Sequence, residues 1–190
     1  VTVAAVTEVS ICNLALTGLG RDVITAFNGA NTEETVSALY YPIARDGLLE
    51  QAPWTFAEGR VANLAITLPA PSWGFRNAFQ KPTQALKVWE IQGVGIKWKV
   101  VKDQIWCDLD TISVVYTEKL EDPTQFSPMF VIALGKWLEA LMAVPLTGKV
   151  DRQKQALGEA QFWLGEAASS DGQQGTPNVP IADDLNVVRF

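Results

Sequence analysis

Residues 36–56 read VSALYYPIARDGLLEQAPWTF, and this stretch decides the architecture. Val36, Leu39, Tyr40 and Ile43 recur at helical spacing, and Gly47 extends the same face. Tyr41, Leu48 and Ala52 form a second apolar stripe, rotated away from the first. A helix with two apolar stripes needs cover on two sides, so the spacing predicts a central helix inside an assembly of elements. Pro42 lacks an amide donor and is expected to bend this helix. Gly47, a poor helix former on an apolar face, is expected to let another backbone approach. Ala52-Pro53 ends the helix, and Trp54 and Phe56 then alternate as in a strand, so the stretch also leads into a sheet.

Upstream, Thr7 is placed to cap a first helix with Val9, Cys12, Leu16 and Leu19 on one side and Gly20 as its stop. Asn28-Gly29 marks a turn, and Asn31 with Glu34 three residues on reads as a capping box for the central helix. Downstream, the period changes to two between Trp54 and Thr117. Ile96, Trp98 and Val100 face one way and Lys97 and Lys99 the other, and Ile112, Val114 and Tyr116 repeat the pattern. Gly93-Val94-Gly95 and Lys102-Asp103-Gln104 read as hairpin connections within one small antiparallel sheet.

Ser127-Pro128 opens another helix, lined by Phe130, Leu134, Trp137, Leu141 and Val144 with Val131 and Leu138 beside them. Only Lys136 and Glu139 are charged there, so the helix is expected to be almost wholly covered, by its own chain or by another copy. Pro145 is expected to close it, and Thr147 to cap a last helix bearing Leu157, Ala160, Leu164 and Ala168. Beyond Ser169 no period survives, although Val187, Val188 and Phe190 are apolar. The expected architecture is therefore α+β. A bundle of about four helices comes from residues 1–53 and 118–170, with an inserted small antiparallel β-sheet at 54–117 and an extended C-terminal arm at 171–190.

Composition narrows the chemistry. A chain of 190 residues buries roughly 70% of its unfolded surface, enough for one domain with an inserted lobe. A net charge of −6 disfavours general affinity for nucleic acid or anionic membrane, though not a lumen through which DNA slides. Two cysteines make no disulfide framework and suit a reducing compartment. No signal peptide is visible, and the longest apolar run, Met129 to Val144, is broken by charges and short for a membrane span, so a soluble chain is expected. Histidine is absent, which removes Ser-His and Cys-His nucleophiles and every His-containing zinc site. No cofactor and no metal is expected.

Individual motifs each have a simpler structural account. Gly93-Val94-Gly95 lacks the third glycine of a dinucleotide fingerprint, and Gly148-Lys149 is followed by Val150 where a phosphate loop needs Ser or Thr. Asp108 with Asp110, or Glu33 with Glu34, could form a glycosidase carboxylate pair, yet acids at a hairpin end and a helix N-terminus are expected on structural grounds. Lys87, Lys97, Lys99 and Lys102 interleave with Trp89, Trp98 and Trp106 as in a single-strand nucleic-acid platform. Alternation nevertheless puts Trp98 on the face opposite Lys97 and Lys99, which makes the ring a core residue.

Several pieces, in order along the chain, resemble the tail tubular protein A, or head-to-tail adaptor, family of short-tailed bacteriophages. They are Leu16-Thr-Gly-Leu19-Gly20, then Tyr41-Pro42-Ile43-Ala44-Arg45-Asp46 with Leu49, and Ala52-Pro53-Trp54-Thr55-Phe56-Ala57. Further on come the Tyr116 strand end, Glu121-Asp122-Pro123-Thr124-Gln125-Phe126, and Asp171-Gly172-Gln173-Gln174-Gly175. The resemblance implies a structural virion protein and no enzyme. It would form a ring, usually of twelve copies, at the head–tail junction between the portal protein and the tail nozzle, after assembly in the host cytoplasm. Double-stranded DNA would pass through the lumen without sequence-specific binding, and no membrane would be involved.

On this resemblance Tyr41, Pro42, Arg45, Asp46, Pro53, Trp54 and Phe56 are structural motif residues. Pro177, Val179, Pro180, Ile181, Val187, Val188 and Phe190 are the expected contacts to the portal or a neighbouring subunit. The isolated chain is expected to be a monomer or weak oligomer that closes into a ring on the portal. The alternatives are a glycan-cleaving tail-associated enzyme and a single-strand nucleic-acid-binding module.

Overall fold

The computed structural model describes residues 5–174 and contains four helices and six strands in an α+β arrangement. The expected portal or neighbour contacts from Pro177 to Phe190 lie outside the described residues. Helix α1 (Glu8–Leu19) starts on Thr7, whose hydroxyl accepts from the Ser10 amide, and stops at Gly20 in the left-handed conformation. Helix α2 (Thr32–Leu49) starts on Asn31, which accepts from the Glu34 amide. Glu34 reaches back past the cap to the Ala30 amide, 2.9 Å away, so the box closes one residue early. Helices α3 (Pro128–Thr147) and α4 (Val150–Gly172) form an antiparallel pair, and α3 packs on all three other helices. It is apolar and long enough to cross a membrane, and here it is the hub of the bundle.

The central stretch differs from its sequence reading in an informative way. Within α2 the buried face is Ser37, Tyr41, Ala44, Arg45 and Leu48, whereas Leu39 and Ile43 are each 59% exposed. The second apolar stripe packs inward, while the first is divided, with Val36 and Tyr40 packed in part against the core and Leu39 and Ile43 left outside it. Gly47 is exposed too, and among the described residues none beyond its own stretch of helix comes within 4 Å of where a side chain there would begin. The helix runs on through Pro42, whose ring faces solvent. Trp54 and Phe56 do not begin a strand. Thr55–Ala57 is a turn of 3-10 helix, and both rings pack with the helical core.

Two further expectations change. Helix α3 continues through Pro145 to Thr147 and ends at Gly148. Thr147 is not the cap of α4; its hydroxyl donates back to the Ala143 carbonyl and accepts from the Lys149 amide, and Lys149 begins α4 without a side-chain cap. Glu139, one of the two charged residues noted on α3, is among its buried residues. Asp171 belongs to α4 and is buried, so the break placed before residue 171 falls inside the helix.

The inserted segment is two three-stranded antiparallel sheets. One has β1 (Glu58–Ala65), β6 (Thr111–Glu118) and β3 (Ala85–Ile91), with β6 in the middle. The other has β2 (Asn77–Gln80), β5 (Gln104–Cys107) and β4 (Trp98–Val101), with β5 in the middle. They share one core, in which Phe79, Ile105 and Cys107 meet Val88, Ile91, Ile112, Val114 and Tyr116. Lys102-Asp103 makes the expected tight hairpin between β4 and β5. Gly93-Val94-Gly95 does not make one; it carries the chain from one sheet to the other. Ladder register puts the loops 66–76, 92–97 and 108–110 together at the lobe end remote from the helices.

Candidate functional site

Two connections join the lobe to the bundle, residues 50–57 on the way in and 119–127 on the way out. The residues singled out in the sequence converge on them. Arg45 has its guanidinium in the protein interior, 4% exposed, because α2 turns it toward the outgoing connection. Its Nε donates to Asp46 at 2.8 Å, and Nη2 lies 3.8 Å from Glu121. Lys119 closes the set, 3.0 Å from Glu121 and 3.9 Å from Asp46. A guanidinium is suited to this position because its planar fork serves two carboxylates and it carries charge at every pH of interest. It also lies 5.9 Å over the Tyr41 ring. Lys119, and then Arg45, hold the Glu121 carboxyl below the usual carboxylate range. Burial, and then the Glu8 charge, push the Tyr41 phenol well above its ordinary value, so it stays neutral.

Below this ion-pair set lies an aromatic cluster. Trp54 is fully buried and its indole donates to the Leu48 carbonyl at 3.1 Å, joining the Gln51 amide on that acceptor at the end of α2. Phe130 receives Trp54, Phe56 and Phe126 with ring centroids 5.0, 5.1 and 5.0 Å away, all tilted to edge-on. The incoming connection, the outgoing connection and the start of α3 are thereby locked into one piece. Trp54 follows Pro53 in extended backbone just past the helix, with its indole turned back to Leu48.

The third tie comes from the far end of the chain. Asp171, 3% exposed in the last turn of α4, accepts from the Thr55 amide at 2.6 Å and from its hydroxyl at 2.8 Å. Lys87 of β3 adds a bond to the Glu50 carbonyl at 3.0 Å. The arrangement is a braced hinge block in which Arg45, Trp54 and Asp171 all have partners, while the buried Tyr41 hydroxyl has none among the described residues.

Residues proposed for catalysis or nucleic-acid stacking are not brought to this junction. Asp108 accepts from the Arg76 amide at 2.9 Å, and Asp110 lies 3.4 Å from the Asn77 amide group, so both acids brace the remote lobe loops. Glu33 pairs with Arg21, and Glu34 accepts from Ala30. The amide of Glu33 itself, then Arg21, holds the Glu33 carboxyl low. Trp98 packs on the lobe core with Lys97 and Lys99 exposed, as alternation predicts. Trp89 donates to Thr117 at 2.7 Å under the Lys87 ammonium. Among the described residues, no cluster of His, Cys, Asp or Glu could hold a metal.

Sequence reasoning did not foresee a second ion-pair set. Glu139 lies on α3 with its side chain 3.0 Å from Lys136 and 3.4 Å from Arg152, and Lys136 also reaches Glu159 at 2.8 Å. Arg152 further donates to the Gly18 carbonyl. The set ties α1, α3 and α4 together. Its one sequence signal was Gly18 itself, because the Glu139 carboxylate occupies the space where a side chain there would sit.

Fold and site together define a class: a helical bundle carrying a two-sheet lobe on a braced hinge. No known protein-family model matches the chain, and no curated protein matches it.

Proposed function

We propose that this chain is a ring-forming head-to-tail adaptor of a short-tailed bacteriophage. In this reading it sits between portal and tail nozzle, keeps a channel for DNA and does no bond chemistry. The observation that carries the reading is convergence. Arg45-Asp46, Pro53-Trp54-Thr55-Phe56, Glu121, Phe126 and Asp171 lie far apart in sequence, carry the resemblance, and make one hinge block. Such a block suits a subunit that must hold two lobes at a fixed angle so that copies repeat regularly.

Further support comes from what the bundle leaves uncovered. Apolar side chains stand exposed on α2 and, separately, on α4. Two different faces permit head-to-tail contacts, the kind that close rings. Portal, nozzle, copy number and virion location belong to the same proposal. Electron microscopy of the protein mixed with its portal tests it: the expected result is a ring of about twelve copies stacked on the portal, as in ring assemblies of closed symmetry. Failure to bind the portal, with each partner folded, refutes it.

A further inference from the structure

The link between α1 and α2 holds one dipeptide set apart by its chemistry, Asn28-Gly29. Asn28 is the only asparagine of the chain followed by glycine. Both residues are exposed, and Gly29 turns the backbone with a φ of 70°. The groups on either side are engaged. Asn13 grips both the amide and the carbonyl of Ile24, Ala30 donates to Glu34, and Asn31 caps α2. Among the described residues, no hydrogen bond involves the Asn28 side chain or the Gly29 amide. An asparagine side-chain carbonyl carbon and the next amide nitrogen are one five-membered ring closure apart, and glycine has no Cβ to crowd that approach.

Every other candidate lacks one of these conditions. Asn13 lies in α1 with its side chain bonded, and Asn77 lies in β2 with its amide group donating to Leu109. The Asn31 side chain is the α2 cap, Asn63 precedes leucine, and Asn178 and Asn186 precede valine. Of the two Asp-Gly pairs, Asp46 is held by Arg45 within α2 and Asp171 by Thr55 within α4.

We propose that Asn28-Gly29 is a self-modification site, at which the folded protein loses the Asn28 side-chain amide without any enzyme. The Gly29 nitrogen gives its proton to the solvent and attacks Cγ of Asn28. The N–Cγ bond forms, the Cγ–Nδ2 bond breaks, and Nδ2 leaves as ammonia with a proton returned by the solvent. The cyclic imide then takes up one water. Opening at Cγ gives aspartate in the normal chain. Opening at the backbone carbonyl of residue 28 gives isoaspartate, with the main chain running through the former side chain. No electrons are transferred, and water is the only co-reactant. Isoaspartate lengthens a link that is pinned closely on both sides. Phe27 packs on the helical core with its ring centroid 6.2 Å from that of Tyr41, and Glu34 holds the Ala30 amide at 2.9 Å. One extra main-chain carbon between those points pulls against Phe27 or against the start of α2. The reaction therefore sets a lifetime on the α1–α2 link, whatever partners the protein has.

Peptide mapping by mass spectrometry tests it. The folded protein, held for weeks in mildly alkaline buffer, is expected to convert amide to acid at residue 28 ahead of every other asparagine, with isoaspartate among the products. Conversion should quicken with pH and run within a few-fold of its rate in the urea-unfolded chain, because nothing in the fold protects the site. Asn28→Gln, whose ring closure would be six-membered, should keep its amide. The aged parent protein should melt lower than fresh protein and exchange amide hydrogens faster across residues 24–31, while aged Asn28→Gln should do neither. Conversion in urea but not in the folded chain, or conversion first at another asparagine, overturns the proposal. Unchanged melting and exchange after full conversion overturns the strain argued for the link.

Discussion

Replacing Gly18 by alanine sets two effects of opposite sign against each other. Gly18 lies in the last turn of α1, where alanine in place of glycine ordinarily stabilises a helix by about 1 kcal/mol. The structure reverses that expectation. A Cβ there would stand 2.5 Å from one Glu139 carboxylate oxygen and 2.9 Å from the other. The carboxylate has little room to retreat, since its side chain is 4% exposed and held by Lys136 and Arg152. Breaking a buried ion pair costs about 3–5 kcal/mol. Lys136 and Arg152 are each roughly a third exposed and Lys136 keeps Glu159, so solvent screening lowers the figure to about 2–4 kcal/mol. Net of the helix gain, Gly18→Ala should destabilise by about 2 kcal/mol, a fall in Tm of roughly 4–8 °C for a chain of this size. Thermal denaturation followed by circular dichroism reads it directly. The same change in a Glu139→Ala background should be neutral or stabilising, because the clash has gone. A rise in Tm in the parent protein, or an equal loss in both backgrounds, refutes the reasoning.

Asp171→Ala should remove the carboxylate that accepts from both the Thr55 amide and its hydroxyl and cost about 1–3 kcal/mol in urea denaturation. Amide exchange should quicken at residues 54–57 while helix content holds, and unchanged exchange there would mean that Asp171 does not brace the hinge. Burial pushes the Cys12 thiol up to about 12, with Ser37 opposing and Glu8 reinforcing the shift. The unfolded chain ionises this thiol near about pH 8.5, so its contribution to stability is complete below that pH and is lost as pH rises toward the folded value. The denaturation midpoint should therefore fall between about pH 8.5 and 10.5, less steeply in Cys12→Ala, and identical slopes would contradict the assignment.

Much of this molecule is local in origin and so was legible in its sequence. Thr7, Asn31 and Ser127 cap their helices because a hydroxyl or amide oxygen three residues ahead of an amide is a short-range arrangement. Alternation along β4 and β6 named the inward residues because strand period is fixed by the backbone. Pairing of distant elements was not legible. Gly93-Val94-Gly95 looked like a hairpin, yet β3 and β4 lie in different sheets, since register is settled by the partner strand. Trp54 and Phe56 alternate like a strand but turn together toward Phe130, a residue more than seventy positions away.

The two stripes of α2 show the division most plainly. The sequence by itself determined that both were apolar and that each needed cover. Only the tertiary structure decided which one the subunit covers. The bundle has a single hub, α3, and α2 can present only one face to it, so Tyr41, Ala44 and Leu48 go in and Leu39 and Ile43 stay out. Burying Arg45 on the inward side became tolerable because Asp46 and Glu121 arrive from two directions to meet its charge, a meeting that no local pattern encodes.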